Sequence, residues 1–143
     1  MQTIPDRTFQ FAIRIVKLCQ HLEETGSVAR TISRQLLRSG TSIGANVQEG
    51  QAGQSKADFI SKNYIALKEA RETLYWLKLL AATNILPESR LTPIAQEAKE
   101  ITRILGATIV KAKGKSVKEK TDWNFYFLLS TFYFLPKGLK WSI

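Results

Sequence analysis

Apolar residues recur at steps of three, four and seven along four successive stretches of this chain, with turn-forming residues between them. That spacing repeats one face of an α-helix, and four amphipathic helices on short loops pack most simply as an antiparallel, up-and-down bundle, an all-α fold. The last stretch shows it most plainly. Ile94, Ala98, Ile101, Leu105 and Ile109 form one stripe, and Thr92 with Pro93 fits an N-cap followed by a first-turn proline. In the second stretch Val28, Ile32, Leu36, Ile43 and Val47 share a face with Ser39 and Asn46, behind Ser27 as a cap. The third opens on Ser55 and Asp58, a capping-box pair. It buries Phe59, Ile60, Ala66, Leu67, Ala70, Leu74, Leu77 and Ala81 together with Asn63, and Asn84 and Pro87 mark its end.

The first stretch has two apolar stripes rather than one. Phe9, Ala12, Ile13, Val16 and Cys19 form the first, and Phe11, Ile15, Leu18 and Leu22 lie beside it. Only Arg7, Gln10, Arg14, Lys17 and His21 are left as a polar strip. A lone bundle buries a single stripe per helix, so the second one points to contact with another subunit or with the C-terminal tail.

Two positions inside the bundle stand out. Gly40 and Gly44 lie one turn apart in the second stretch, each costing about 1 kcal/mol against alanine, which argues for close helix approach or a bend there. Asn46 and Asn63 sit on apolar faces at similar distances from the turn around Gln54 and Ser55. Buried amides need partners, so a hydrogen bond between them, or from each to backbone near Gly50, is expected to set helix register.

Charge is the strongest functional signal. With 21 Lys and Arg against 12 Asp and Glu the net charge is +9, which favours a polyanionic partner: RNA, DNA or an acidic protein. Arg30, Arg34 and Arg38 repeat every four residues, a ridge opposite the apolar face of the second stretch. In the third, Tyr64, Lys68, Arg71 and Tyr75 share a stripe, with Lys78 near its edge; cations there can neutralise phosphates while the rings stack on bases. The same features suit a solvated helix face or a subunit seam.

Catalytic constellations are absent from the pattern. Cys19 and His21, the one cysteine and the one histidine, point to different sides of a helix. Neither a metal site nor an activated nucleophile can be assembled from them, so no catalytic residues, metal or cofactor are expected. Glu69 and Glu72 read as surface partners of basic residues, with Lys68 at the favourable spacing for Glu72. A single cysteine and an N-terminus carrying an acid and a proline where a secretory signal has a basic, apolar run together point to the cytoplasm.

The run QLLRSGTSIGANVQEGQAGQSKADFISKNYIALKEARETLYWLKLL, residues 35–80, resembles the four-helix bundle family encoded by intervening sequences of bacterial 23S rRNA genes. The resemblance is strongest over SIGANVQEG and ALKEARETLYWL and extends over residues 7–113. It implies an up-and-down bundle assembling as a homopentamer, a basic nucleic-acid-associated scaffold with no settled chemistry. Some relatives act as accessory partners of reverse transcriptases, so a protein-interaction scaffold without nucleic-acid contact is the alternative. Glu49 matches an acidic position of the family's NIAEG segment, which implies contact with a neighbouring helix or subunit.

Composition changes after Lys113. Residues 1–113 are expected to form the bundle and 114–143 a basic connector and aromatic tail, in which seven aromatic residues crowd between Trp123 and Phe134. The apolar run is shorter than the roughly 20 residues of a membrane-spanning helix, so docking on the bundle or an unstructured extension is expected rather than a membrane anchor.

Overall fold

The computed structural model describes residues 2–114, and each of the four amphipathic stretches is a helix. They are α1 (Ile4–Glu23), α2 (Ser27–Gln51), α3 (Lys56–Ala82) and α4 (Glu88–Ala112). Each helix packs on the next in sequence, and α4 returns to α1 to close a four-cornered, up-and-down bundle. The α2–α3 seam is the most extensive and the α1–α4 seam the slightest. The aromatic tail lies outside the described residues.

Local chemistry sets the helix ends, and two differ from expectation. Thr3 accepts from the Asp6 amide at the start of α1, and Ser55 accepts from the Asp58 amide at the start of α3, as the capping pattern predicts. Ser27, expected as a cap, is already inside α2. The cap position belongs to Gly26 at φ 150°, a conformation that glycine alone adopts without strain, and no side chain bonds the first amides. Thr92 and Pro93 do not open the fourth helix either. It begins at Glu88 behind Pro87, and Pro93 lies inside it. Pro93 is exposed, so water can satisfy the carbonyl that its missing N–H leaves unpaired. Asn84 takes the left-handed conformation (φ 54°) just past α3, ending that helix where expected.

The core is a continuous set of side chains that includes Phe11, Ile15, Leu22, Leu36, Ile43, Leu77, Leu80, Ile101 and Leu105, all at most 1% exposed. Cys19 joins Phe11 and Ile15 in this core, not the stripe of Phe9 and Val16, because steps of four carry Phe11 through Ile15 to Cys19 on one face. Val28 is 65% exposed and Ala29 takes its place in the core, so the buried face of α2 begins one residue later than the larger side chains imply.

Polar residues cross-link the seams. Ser33 Oγ donates to the Cys19 carbonyl (3.2 Å) and the Cys19 thiol to the Ser33 carbonyl (3.4 Å), joining α1 to α2. Thr73 Oγ1 donates to Ser39 Oγ (3.0 Å), joining α2 to α3. Among the described residues, no buried side-chain nitrogen or oxygen lacks a partner. The expected Asn46–Asn63 bond does not form. Asn46 Nδ2 donates to the Ser42 carbonyl and Asn63 Nδ2 to the Phe59 carbonyl, both at 2.8 Å and both within their own helices. An amide that folds back on the carbonyl one turn before it is satisfied locally, which leaves the interhelical role to the hydroxyls.

Candidate nucleic-acid interface

The distribution of charge around α3 defines the candidate surface. Glu69 and Glu72 lie on the side facing α2, where Arg38 meets both: Arg38 Nη1 is 3.2 Å from a Glu69 carboxylate oxygen, and Nη2 donates to Glu72. Glu72 also accepts from Trp76 Nε1 (3.1 Å). These partners take up the carboxylate expected for Lys68. On the outer side of α3, Tyr64, Lys68, Arg71 and Tyr75 form a stripe without a carboxylate, and no ion pair among the described residues involves Lys68 or Arg71.

The stripe continues onto α4. Lys113, just past the end of α4, donates to the Tyr64 hydroxyl (2.8 Å), with its ammonium 4.7 Å from the centre of that ring. Burial, and after it repulsion from Lys99, pull the Lys78 pKa down. Burial pulls that of Arg71 down as well, with no acid opposing it. Tyr75 is 55% exposed and stands edge-on to Trp76, with ring centres 4.9 Å apart.

The arginine ridge of α2 has a different setting. Arg30 pairs with Glu23 (3.3 Å) and donates to its carbonyl, and Arg38 is the α2–α3 link already described. Arg34 is exposed between them. Carboxylates from α1 and α3 therefore neutralise two of the three ridge positions.

A model of the family described as 23S rRNA-intervening sequence protein matches residues 2–107. The chain belongs to this family. Among solved structures it is similar to a protein of unknown function from the S23 ribosomal protein family of Bacteroides thetaiotaomicron VPI-5482. The two are 44% identical at a TM-score of 0.70, over 75% of this chain and 98% of that one. No curated protein matches the chain.

In this intervening-sequence protein the tightest glycine contact between α1 and α2 is at Gly40, two residues before the motif SIGANVQEG. A Cβ on Gly40 would fall 2.8 Å from Ile15 Cγ2, and one on Gly44 would meet the Thr8 carbonyl oxygen at 3.4 Å, an ordinary contact. Gly50 faces Asn63, where a Cβ would sit 3.1 Å from Nδ2. Glu49 accepts from Lys62 at the lower end of the α2–α3 seam, within one chain. Sequence reasoning missed the meeting of Lys113 with Tyr64. Lys113 lies just past the end of α4, so the periodicity of that helix gives no signal of which neighbour it meets.

The Arg38 link carries a pH signature. Its hydrogen bond to Glu72 holds that carboxyl below the usual range. A carboxylate with a depressed folded pKa contributes stability above its unfolded value, near 4.3, and loses it as pH falls through the folded one. Arg38→Gln is expected to cost about 1 kcal/mol or less at neutral pH, since both side chains are a third or more exposed. In denaturant unfolding series the difference from the parent protein should shrink as pH falls below the unfolded value and vanish below the folded one. A pH-independent difference would assign the loss to packing of the arginine stem instead.

Proposed function

We propose that this intervening-sequence protein is a non-catalytic bundle that self-associates and binds nucleic acid through the α3–α4 face. The observation that carries the reading is the sorting of charge on α3: Glu69 and Glu72 turn to Arg38, leaving Lys68 and Arg71 without an ion pair on the adjoining outer stripe, beside two exposed tyrosines. Polyanion binding needs cations that are not already neutralised, and this stripe supplies them better than the Arg30 ridge does.

Self-association is supported by the unused stripe of α1. Phe9 is 60% and Val16 38% exposed, and with Ala12 and Ile13 they line an apolar groove against Gly44 and Ala45 of α2. The non-catalytic reading is supported by the placement of the reactive groups. Cys19 is buried, its thiol pushed up by burial, and His21 is exposed. Among the described residues no three His, Cys, Asp or Glu side chains gather as a metal site, and no helix is long and apolar enough to cross a membrane.

The test is binding of labelled RNA and DNA to the full chain across a salt series. Log affinity should fall linearly with log salt, and Lys68→Gln with Arg71→Gln should reduce the slope by about 1 to 2. Arg30→Gln with Arg34→Gln should change it less. An absence of salt-sensitive binding to either polymer would refute nucleic-acid contact and favour the acidic-protein scaffold.

A further inference from the structure

Deepening the reading above, on which it rests, we infer that the α3–α4 face takes a single strand of nucleic acid rather than a duplex, with bases stacked on Tyr64 and Tyr75 and phosphates held by Lys68 and Arg71 between them. The four side chains follow one another at steps of four, three and four, so they form one line along α3. Tyr64 and Tyr75 stand about 16 Å apart along the axis, with both cations in the interval.

Each ring is held and still open. Tyr64 is 39% exposed and its hydroxyl is fixed by Lys113, while Tyr75 is braced edge-on by Trp76. Two rings fixed in place at the surface, flanking cations, form a stacking platform. A duplex cannot use it, because its base faces are covered by their neighbours and it presents only phosphates and groove edges. A single strand brings both. The half-buried Arg71 guanidinium adds a second reason: an incompletely hydrated cation without a carboxylate gains from a phosphate set beside it.

The experiment compares the full chain bound to a labelled single strand of about 20 nucleotides, longer than most single-strand sites, with the matched duplex at the same salt, in RNA and DNA versions. The single strand should bind tighter by about tenfold or more. Tyr64→Leu and Tyr75→Leu should each weaken it about 5- to 150-fold, with duplex affinity and the salt slope unchanged, whereas Tyr75→Phe keeps the ring and the affinity. Circular dichroism confirms that the leucine variants, changed at exposed positions, remain helical. Duplex binding as tight as single-strand binding overturns the inference. So does a loss in the Lys68→Gln, Arg71→Gln protein with no loss in the tyrosine variants, and either result leaves the proposed function standing. Failure of wild type to bind either form at low salt removes both. A preference between the RNA and DNA single strands would identify which polymer the platform serves.

Discussion

Phe11→Ala should lower the stability of the bundle by about 3–5 kcal/mol, while the same change at Phe9, two residues away, should cost no more than about 0.5 kcal/mol in the isolated chain. Phe11 is 1% exposed, in contact with the core through the full ring, and its loss leaves a cavity that rigid neighbouring helices fill poorly. Domains of this size are stable by only about 5–15 kcal/mol, so the first change removes about a fifth or more of the total. Phe9 is 60% exposed and its ring lies over the apolar groove rather than in the core. Denaturant unfolding at one protein concentration reads both, as a shift in midpoint at unchanged slope. The Phe9 site should respond to a different measurement: Phe9→Glu places a charge in the groove and should lower the mass of the assembled particle. Equal losses of stability at the two positions would mean that α1 is rotated from the orientation described.

Gly40→Ala should destabilise the fold despite placing the best helix former in the middle of a helix. The propensity gain is about 1 kcal/mol. Against it stands the new methyl group, 2.8 and 2.9 Å from the two γ carbons of Ile15 and 3.2 Å from its β carbon. Those atoms are close to the Ile15 backbone and wholly buried, so they yield only if α1 moves away from α2. Overpacking of this kind costs about 1–3 kcal/mol. A net loss of about 1 kcal/mol is therefore expected, and the steric origin has its own signature. Gly40→Ala combined with Ile15→Ala should be more stable than the sum of the two single changes predicts. Strict additivity would show that the two residues do not touch. At Gly44 the contact is an ordinary 3.4 Å, and alanine there should be tolerated or stabilising.

The parts of this fold visible in the sequence are those written in large apolar side chains. Ile94 to Ile109 on α4 and Leu36, Ile43 and Val47 on α2 announce their faces by size and spacing, and the bundle follows from them. The hydroxyl contacts were harder to see. Ser39 falls on the apolar face of α2 by spacing, but Ser33 and Thr73 do not announce themselves, since serine and threonine are common on exposed helix faces and only the period set by Ala29, Leu36 and Gly40 betrays Ser33. Asn46 and Asn63 drew attention as larger amides, and each is satisfied within its own helix. The same limit applies to the interface. The stripe of Tyr64, Lys68, Arg71 and Tyr75 can be traced within one helix by its spacing. Which arginines are already paired depends on what faces them across a seam, and periodicity along one helix carries no such information. Arg38 and Glu72 are 34 residues apart, and only the packing of α2 on α3 brings them together.

The reciprocal bonds between Cys19 and Ser33 make the thiol a reporter on the whole molecule. Cys19 is 3% exposed, its thiol proton is engaged by a carbonyl of the neighbouring helix, and burial keeps the reactive thiolate scarce. A soluble reagent can reach that sulfur only after α1 separates from α2. Separating them opens the core along one of its main seams, so the opening that admits the reagent is close to global unfolding. The chain's one cysteine is thus a built-in clock: its rate of modification in the native protein counts how often the bundle comes apart, with no label or engineered residue required.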